Sequence, residues 1–273
     1  MTSSVPVAVA PNGGRRTKAD HPALPIGPAE LARTAVQCLE AGAAMIHVHV
    51  RDGEDRHLLD ADAYATVIAA IKAEVGERLV IQITSEALGI YSPQEQMAVI
   101  RAVKPRAASL ALREIVPGTV DEKAFGDFLH WMKAERIAPQ FIVYTPEEAV
   151  LLDALRKRGV VPFEEPPVLY VLGRYSAGQT SVPQDLVPFL VPGQPVFQRF
   201  MVCAFGIHEA ACTIAGGLLG GGLRVGFENN LVLPDGTLAA SNAELVTTAR
   251  RGLEAAGMHA MSGEELAQDW SEL

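Results

Sequence analysis

The chain has 273 residues, of which 49% are hydrophobic and 20% charged, so it can bury a large core and is not a disordered polymer. Its 23 basic against 32 acidic side chains leave a formal net charge of −9, which argues against nucleic acid or an anionic membrane as the main partner. A small anion held by a few pocket arginines stays compatible with that balance.

Cys38, Cys203 and Cys212 form no C-x-x-C pair and cannot all pair within the chain, which fits reduced thiols in a cytoplasmic protein. No apolar run approaches the ~20 residues of a membrane span. The stretch MTSSVPVAVAPNGGRRTKAD lacks a charged segment ahead of a long apolar one, so no secretory signal is read there.

Short β-branched runs alternate with longer helical stretches. The first predicted strand covers 5–10, and a helix over 28–41 follows, opened by Gly27-Pro28. Strand two covers 45–50 and precedes a helix over 61–75. Strand three, 79–84, leads to a helix over 93–103 that starts at Ser92-Pro93. Strand four, 107–112, precedes a helix over 121–135. Strand five, 140–144, runs into Thr145-Pro146-Glu147-Glu148 and a helix over 147–158. GVVPFEEPP, residues 159–167, is a rigid turn before strand six at 168–172, with a helix over 183–190 after it. Strand seven, 197–204, is paired with a helix over 208–219, and strand eight, 223–226, with one over 241–257. Near 262–270, a Ser-x-x-Glu capping box marks a short accessory helix. Eight such alternations without a linker predict an α/β protein: one (β/α)8 TIM barrel spanning residues 1–273 as a single domain. A doubly wound open sheet is the alternative, but no glycine-rich dinucleotide fingerprint follows the first strand.

The sharpest chemical feature is Met45-Ile-His47-Val-His49-Val50. Side chains alternate along a strand, so His47 and His49 share a face while Ile46, Val48 and Val50 face the helix layer. Two imidazoles on one inward face near a carboxyl end supply a preformed pair of metal-binding nitrogens. A pair of hydrogen-bonded core histidines would read the same way in isolation. The charged Arg51-Asp52 that follows belongs at a site mouth. The second feature is GGGLRVGFENN, residues 220–230. Glu228 falls just past strand eight, which adjoins strands one and two in a closed barrel, so it can meet the histidines. Two imidazoles and one carboxylate form a set suited to Zn²⁺, although ligand type does not separate it from Co²⁺, Mn²⁺ or Ni²⁺. Arg224 lies four residues earlier and could point at a metal-bound anion.

These stretches, with AVAPNGGRRTKADHPALPIGPAE, VIQITSEALG, ASLALRE, YVLGRYSAG and ASNAELV, resemble the β-keto acid cleavage enzyme family, whose first characterised activity is 3-keto-5-aminohexanoate cleavage. The resemblance runs from Val7 to about Ala256. It implies a (β/α)8 barrel, commonly a homotetramer, that binds Zn²⁺ through His47, His49 and Glu228. It further implies conversion of a β-keto acid and acetyl-CoA into acetoacetate and a new acyl-CoA by Claisen and retro-Claisen steps. In that scheme Arg224 holds the substrate carboxylate or developing negative charge, and the Thr84 hydroxyl contributes to the site. Ser109, inside ASLALRE, is a candidate substrate contact.

The chain departs from the family pattern at Asn229, where the best-known members carry an aspartate proposed as the general base. An amide takes no proton at neutral pH. Glu86, Glu114 and Glu209 are the acids expected in mouth loops, with Glu209 placed first because His208-Glu209 follows an apparent strand exit. Asn229 stays in the catalytic set with Arg224, Thr84 and Glu209. Members that take amino-bearing substrates carry acids near the matches to Arg15 and Ile142; here neither is acidic, and Arg15, Arg113 and Arg174 are added near loop ends. A non-cationic substrate is therefore expected, with these arginines as substrate contacts, loop braces or CoA-phosphate ligands. The rival readings are a CoA-independent aldolase-like lyase on the same barrel and a non-catalytic binding barrel.

Overall fold

The computed structural model describes residues 4–116 and 122–273, and the predicted helix start at 121 lies outside the described residues. Eight parallel strands close into a barrel: β1 (Val7–Val9), β2 (Met45–Val48), β3 (Val80–Ile83), β4 (Ala107–Ala111), β5 (Ala138–Val143), β6 (Val168–Leu172), β7 (Phe200–Ala204) and β8 (Gly222–Val225). Strand β8 pairs with β1, as in Arg224 beside Ala8, and β1 pairs with β2, as in Val9 beside Ile46. The ring is thus complete, and residues from its two chain ends meet at one mouth.

The outer helices are α1 (Pro28–Ala41), α2 (Ala61–Val75), α3 (Pro93–Val103), the single turn α4 (Leu112–Ile115), α5 (Glu122–Ala134), α6 (Pro146–Lys157), α7 (Val187–Leu190), α8 (Glu209–Leu218), α9 (Asn242–Ala255) and α10 (Gly263–Trp270). Several begin where the sequence places a cap: Asp60, Ser92, Thr145, Ser241 and Ser262 each accept a backbone N–H from the first turn. Among the described residues no helix is long and apolar enough to cross a membrane.

The two faces of each strand feed different cores. Outward residues such as Ile46, Val48 and Ile83 pack with the helices, while Met45, Val80, Leu169 and Met201 fill the barrel interior. Leu266 and Trp270 of α10 join that interior cluster, so the accessory helix stoppers the amino-terminal end.

Several boundaries differ from the sequence expectation, among them the start of strand seven at Phe200, and four have a clear physical reason. The 5–10 strand is split at Pro6, which has no N–H to give: Ser4–Val5 instead pairs with His259–Ala260. Strand two ends at Val48, because Val50–Arg51 turns away into an antiparallel pair with His57–Leu58 around a loop whose Glu54 and Arg56 amides donate to Asp52. Strand five starts earlier, at Ala138–Pro139, where β4 pairs with it but β6 has not yet reached it, so a missing donor costs no β6 ladder bond. The single helix expected over 183–190 is a 3-10 turn, Pro183–Leu186, followed by the short α7, since Pro188 leaves no amide to continue one ladder.

Candidate metal centre

Each strand hands a side chain or loop to the carboxyl-terminal mouth, where the barrel fold places its chemistry. His47 lies on β2 and His49 one residue beyond its end, and both rings are buried. The backbone of His49 is clamped by Asn12 from the loop after β1: Asn12 Nδ2 donates to the His49 carbonyl at 3.0 Å, and the His49 N–H donates to Asn12 Oδ1 at 3.3 Å. Glu228 sits in the turn after β8. Seating Glu228 needs glycine at two places, one in that turn and one in the loop after β1. Gly226 has φ +135° and a side chain there would strike the Ala10 carbonyl at 2.4 Å; Gly13, at φ +61°, would drive a Cβ to 2.6 Å from Glu228 Cγ.

The donor atoms converge. His47 Nε2 and His49 Nε2 are 3.1 Å apart, and Glu228 Oε2 lies 3.7 Å from the first and 3.3 Å from the second. Donors about 2.0–2.2 Å from a tetrahedral zinc are spaced about 3.3–3.6 Å from one another, so the three fit a single cation. Glu228 Oε2 is buried with no hydrogen-bond partner, an atom whose lone pairs call for one. Burial pulls the His47 pKa down to about 3, which keeps the ring neutral and able to donate a lone pair. Burial alone would raise the Glu228 carboxyl, but Arg224, His49 and His47 together outweigh that and hold it well below the usual carboxylate range. Arg224 Nη2 donates to Glu228 Oε1 at 3.1 Å.

A second layer fixes the imidazole. His47 Nδ1 is 2.8 Å from Gln82 Oε1, which can only accept, so that nitrogen carries the proton and Nε2 is left for a cation. Gln82 is held in turn: its Nε2 donates to Gln140 Oε1 at 3.1 Å, and Gln140 Nε2 contacts Met201 Sδ at 3.2 Å. Gln82, Gln140 and Asn12 are not among the residues that the sequence singles out. The first two were discoverable by parity, since Gln82 shares a strand face with Thr84 and Gln140 with Ile142. Replacing Gln82 with leucine is expected to weaken zinc affinity by about 10–100-fold, measured by competition with a chromophoric chelator, while leaving the fold intact by circular dichroism.

Two adjoining hollows meet at the centre. One is lined by His47, His49, Thr84, Ser109, Tyr144 and Arg224 among others, the second by Asn12, Gly13, Arg15, Arg16 and Gln179, and both by Glu86, Arg174, Phe205 and Glu228. The structure therefore brings His47, His49, Glu228, Arg224, Thr84, Ser109, Arg15 and Arg174 together. Ser109 Oγ and Arg224 Nε and Nη1 are buried without partners, so they remain open to a bound molecule. Asn229 is fully buried beside them, its amide 3.8 Å from Cys203 Sγ.

Glu209 is placed differently from the expectation, and Arg113 takes the bracing role among those expected of the arginines. The Glu209 carboxylate accepts the Gly226 N–H at 3.0 Å and the Asn230 amide at 3.3 Å, behind the β8 turn, and lines neither hollow. Burial pushes its pKa up to about 8 despite those donors. It braces the segment that carries Glu228. Arg113 lies over the Tyr144 and Tyr175 rings, 4.4 and 4.7 Å from their centroids, and pairs with Glu148 at 2.6 Å, which ties it into the wall. Glu114 is likewise engaged, accepting the Ala87 N–H at 2.9 Å.

A family model described as beta-keto acid cleavage enzyme matches residues 4–268. A 3-keto-5-aminohexanoate cleavage enzyme of Acetoanaerobium sticklandii is 28% identical over 86% of this chain and 86% of its own length. A 3-oxoadipate:acetyl-CoA acetyltransferase of Cupriavidus necator is 27% identical over 90% of this chain and 87% of its own. The apo structure of ObcA superposes with a TM-score of 0.69 at 18% identity, covering 91% of this chain and 65% of that longer one, which shows a common barrel.

Proposed function

The chain belongs to the beta-keto acid cleavage enzyme family, and from that membership we propose that it converts a β-keto acid and acetyl-CoA into acetoacetate and a new acyl-CoA at a divalent cation, Zn²⁺ by default, held by His47, His49 and Glu228. The observation that carries the metal is the convergence of three buried donor atoms, one of them an unpartnered carboxylate oxygen. When bound, the cation supplies Lewis acidity, stabilising negative charge on the substrate oxygens by several kcal/mol. The chain's own residues do the rest. Arg224 offers two unpartnered N–H groups to the substrate carboxylate, in a dry site where such bonds are strong. Ser109 and Thr84 present hydroxyls to the same hollow. The buried walls exclude water, so an enolate formed there meets the acetyl thioester before it is reprotonated by solvent. One catalytic unit over the whole chain, a tetrameric assembly and a cytoplasmic location belong to the same reading, on the strength of the family likeness.

The substrate we infer is non-cationic. Arg15, Arg16 and Arg174 line the outer hollow, where an ammonium group would be repelled and a distal carboxylate attracted. The test is acetoacetate release from 3-oxoadipate, a neutral β-keto acid and 3-keto-5-aminohexanoate, each with and without acetyl-CoA. Acetyl-CoA-dependent turnover with kcat/KM at least about 10-fold higher for the first two than for the amino acid is expected. Preference for the amino-bearing substrate refutes the charge assignment. Cleavage without acetyl-CoA would identify an aldolase-like lyase, and a metal-loaded protein inert to all three a binding barrel.

A further inference from the structure

With Asn229 in the position after Glu228, the reaction lacks a base there, and the structure supplies one elsewhere. We propose that Glu86, in the loop after β3, is the general base that removes the C2 proton of the β-keto acid; this rests on the function proposed above. Among the described residues, Glu86 and Glu228 are the carboxylates that line the two hollows, and Glu228 is committed to the donor set.

The main chain of Glu86 is pinned on both sides. Its N–H donates to Thr84 Oγ1 at 3.0 Å, and its carbonyl accepts from His57 Nε2 at 2.7 Å. Its carboxylate, by contrast, has only long contacts: His49 Nδ1 at 3.9 Å, Arg15 Nη2 at 3.8 Å and Arg174 Nη2 at 3.9 Å. None of these is a formed hydrogen bond. The other acids considered from sequence are spent on backbone amides, Glu209 on Gly226 and Glu114 on Ala87. Glu86 thus has a firmly placed main chain and a carboxylate partly exposed to the cavity, with oxygen lone pairs to spare. Gly14 leaves the approach open, since a side chain there would lie 3.2 Å from Glu86 Oε2.

Standing beside His49 on the wall common to both hollows, Glu86 faces the C2–H of a substrate whose ketone oxygen is directed at the donor set. The C2–H bond breaks, its electron pair enters the C2–C3 bond of the enolate, and the proton bonds to a Glu86 oxygen. The same proton returns to carbon when the later retro-Claisen step expels acetoacetate, so the base is restored.

The experiment measures deuterium incorporation at C2 of 3-oxoadipate in D₂O without acetyl-CoA, using zinc-loaded wild type and Glu86→Gln, with zinc affinity and 3-oxoadipate binding followed by calorimetry. The amide keeps the size and removes the basicity. Expected is a loss of enzyme-accelerated exchange of at least about 10²-fold in E86Q, with zinc and substrate affinity within threefold of wild type. Exchange in E86Q within threefold of wild type overturns the assignment while leaving the family reaction in place. Loss of zinc affinity in parallel with exchange also overturns it, reducing Glu86 to a support for His49. A wild type that exchanges none of the β-keto acids above background, and makes no acetoacetate from them with acetyl-CoA, overturns the base and the proposed function together.

Discussion

A His47→Ala variant should lose stoichiometric zinc and fall in kcat/KM by at least about 10³-fold, read by metal analysis of the purified protein and acetyl-CoA-dependent acetoacetate release. Lewis-acid stabilisation of several kcal/mol, at about 1.4 kcal/mol per tenfold in rate, sets that scale. Removing the ring takes one of three donors from the cation and leaves two. It also strips Gln82 Oε1 of its partner at 2.8 Å, so a buried carbonyl is left unmade at a cost of about 1–3 kcal/mol. The barrel should still form, because β2 is anchored by Met45 inside and by Ile46 and Val48 against the helices. Retention of bound zinc, with activity within tenfold of wild type, would remove His47 from the centre and with it the proposed mechanism.

The barrel was legible because each of its strands announces itself locally. The α1, α2 and α3 bounds coincide with the sequence expectation, since each starts at a cap or a first-turn proline that local chemistry dictates. The strand ends were harder to read. Pro6 and the Val50–Arg51 turn shift boundaries through pairing with other strands, and Pro188 does so by interrupting a helical ladder. The donor set could be anticipated because H-x-H parity and barrel closure are both geometric rules; His47 and Glu228 are 181 positions apart yet meet for that reason. The roles of the mouth acids could not. Glu86 and Glu209 look alike as loop acids after strands, and what separates them is where each carboxylate finds a donor: Glu209 finds the Gly226 amide inside the turn, and Glu86 finds none at short range. The arginines divide the same way. Arg113 lies over two tyrosines that only tertiary packing brings to it, while Arg174 faces the cavity.

Arg224 links the site to the stability of the fold. The residue is 2% exposed, and its guanidinium contacts Glu228 and Cys203 from inside the barrel. In a metal-free protein it is the positive charge that justifies a buried Glu228 carboxylate. Replacing it with methionine, which fills much of the same volume, should lower the unfolding free energy of the metal-free protein by about 3–5 kcal/mol, because an uncompensated charge remains in the interior. Zinc should then restore a larger share of stability to Arg224→Met than it adds to wild type, since the cation neutralises the same carboxylate that the arginine did. Urea midpoints with and without zinc measure both quantities on one sample. A loss under about 1 kcal/mol without zinc, together with equal zinc stabilisation of the two proteins, would mean that Glu228 is solvated in the empty centre and that Arg224 serves the substrate alone.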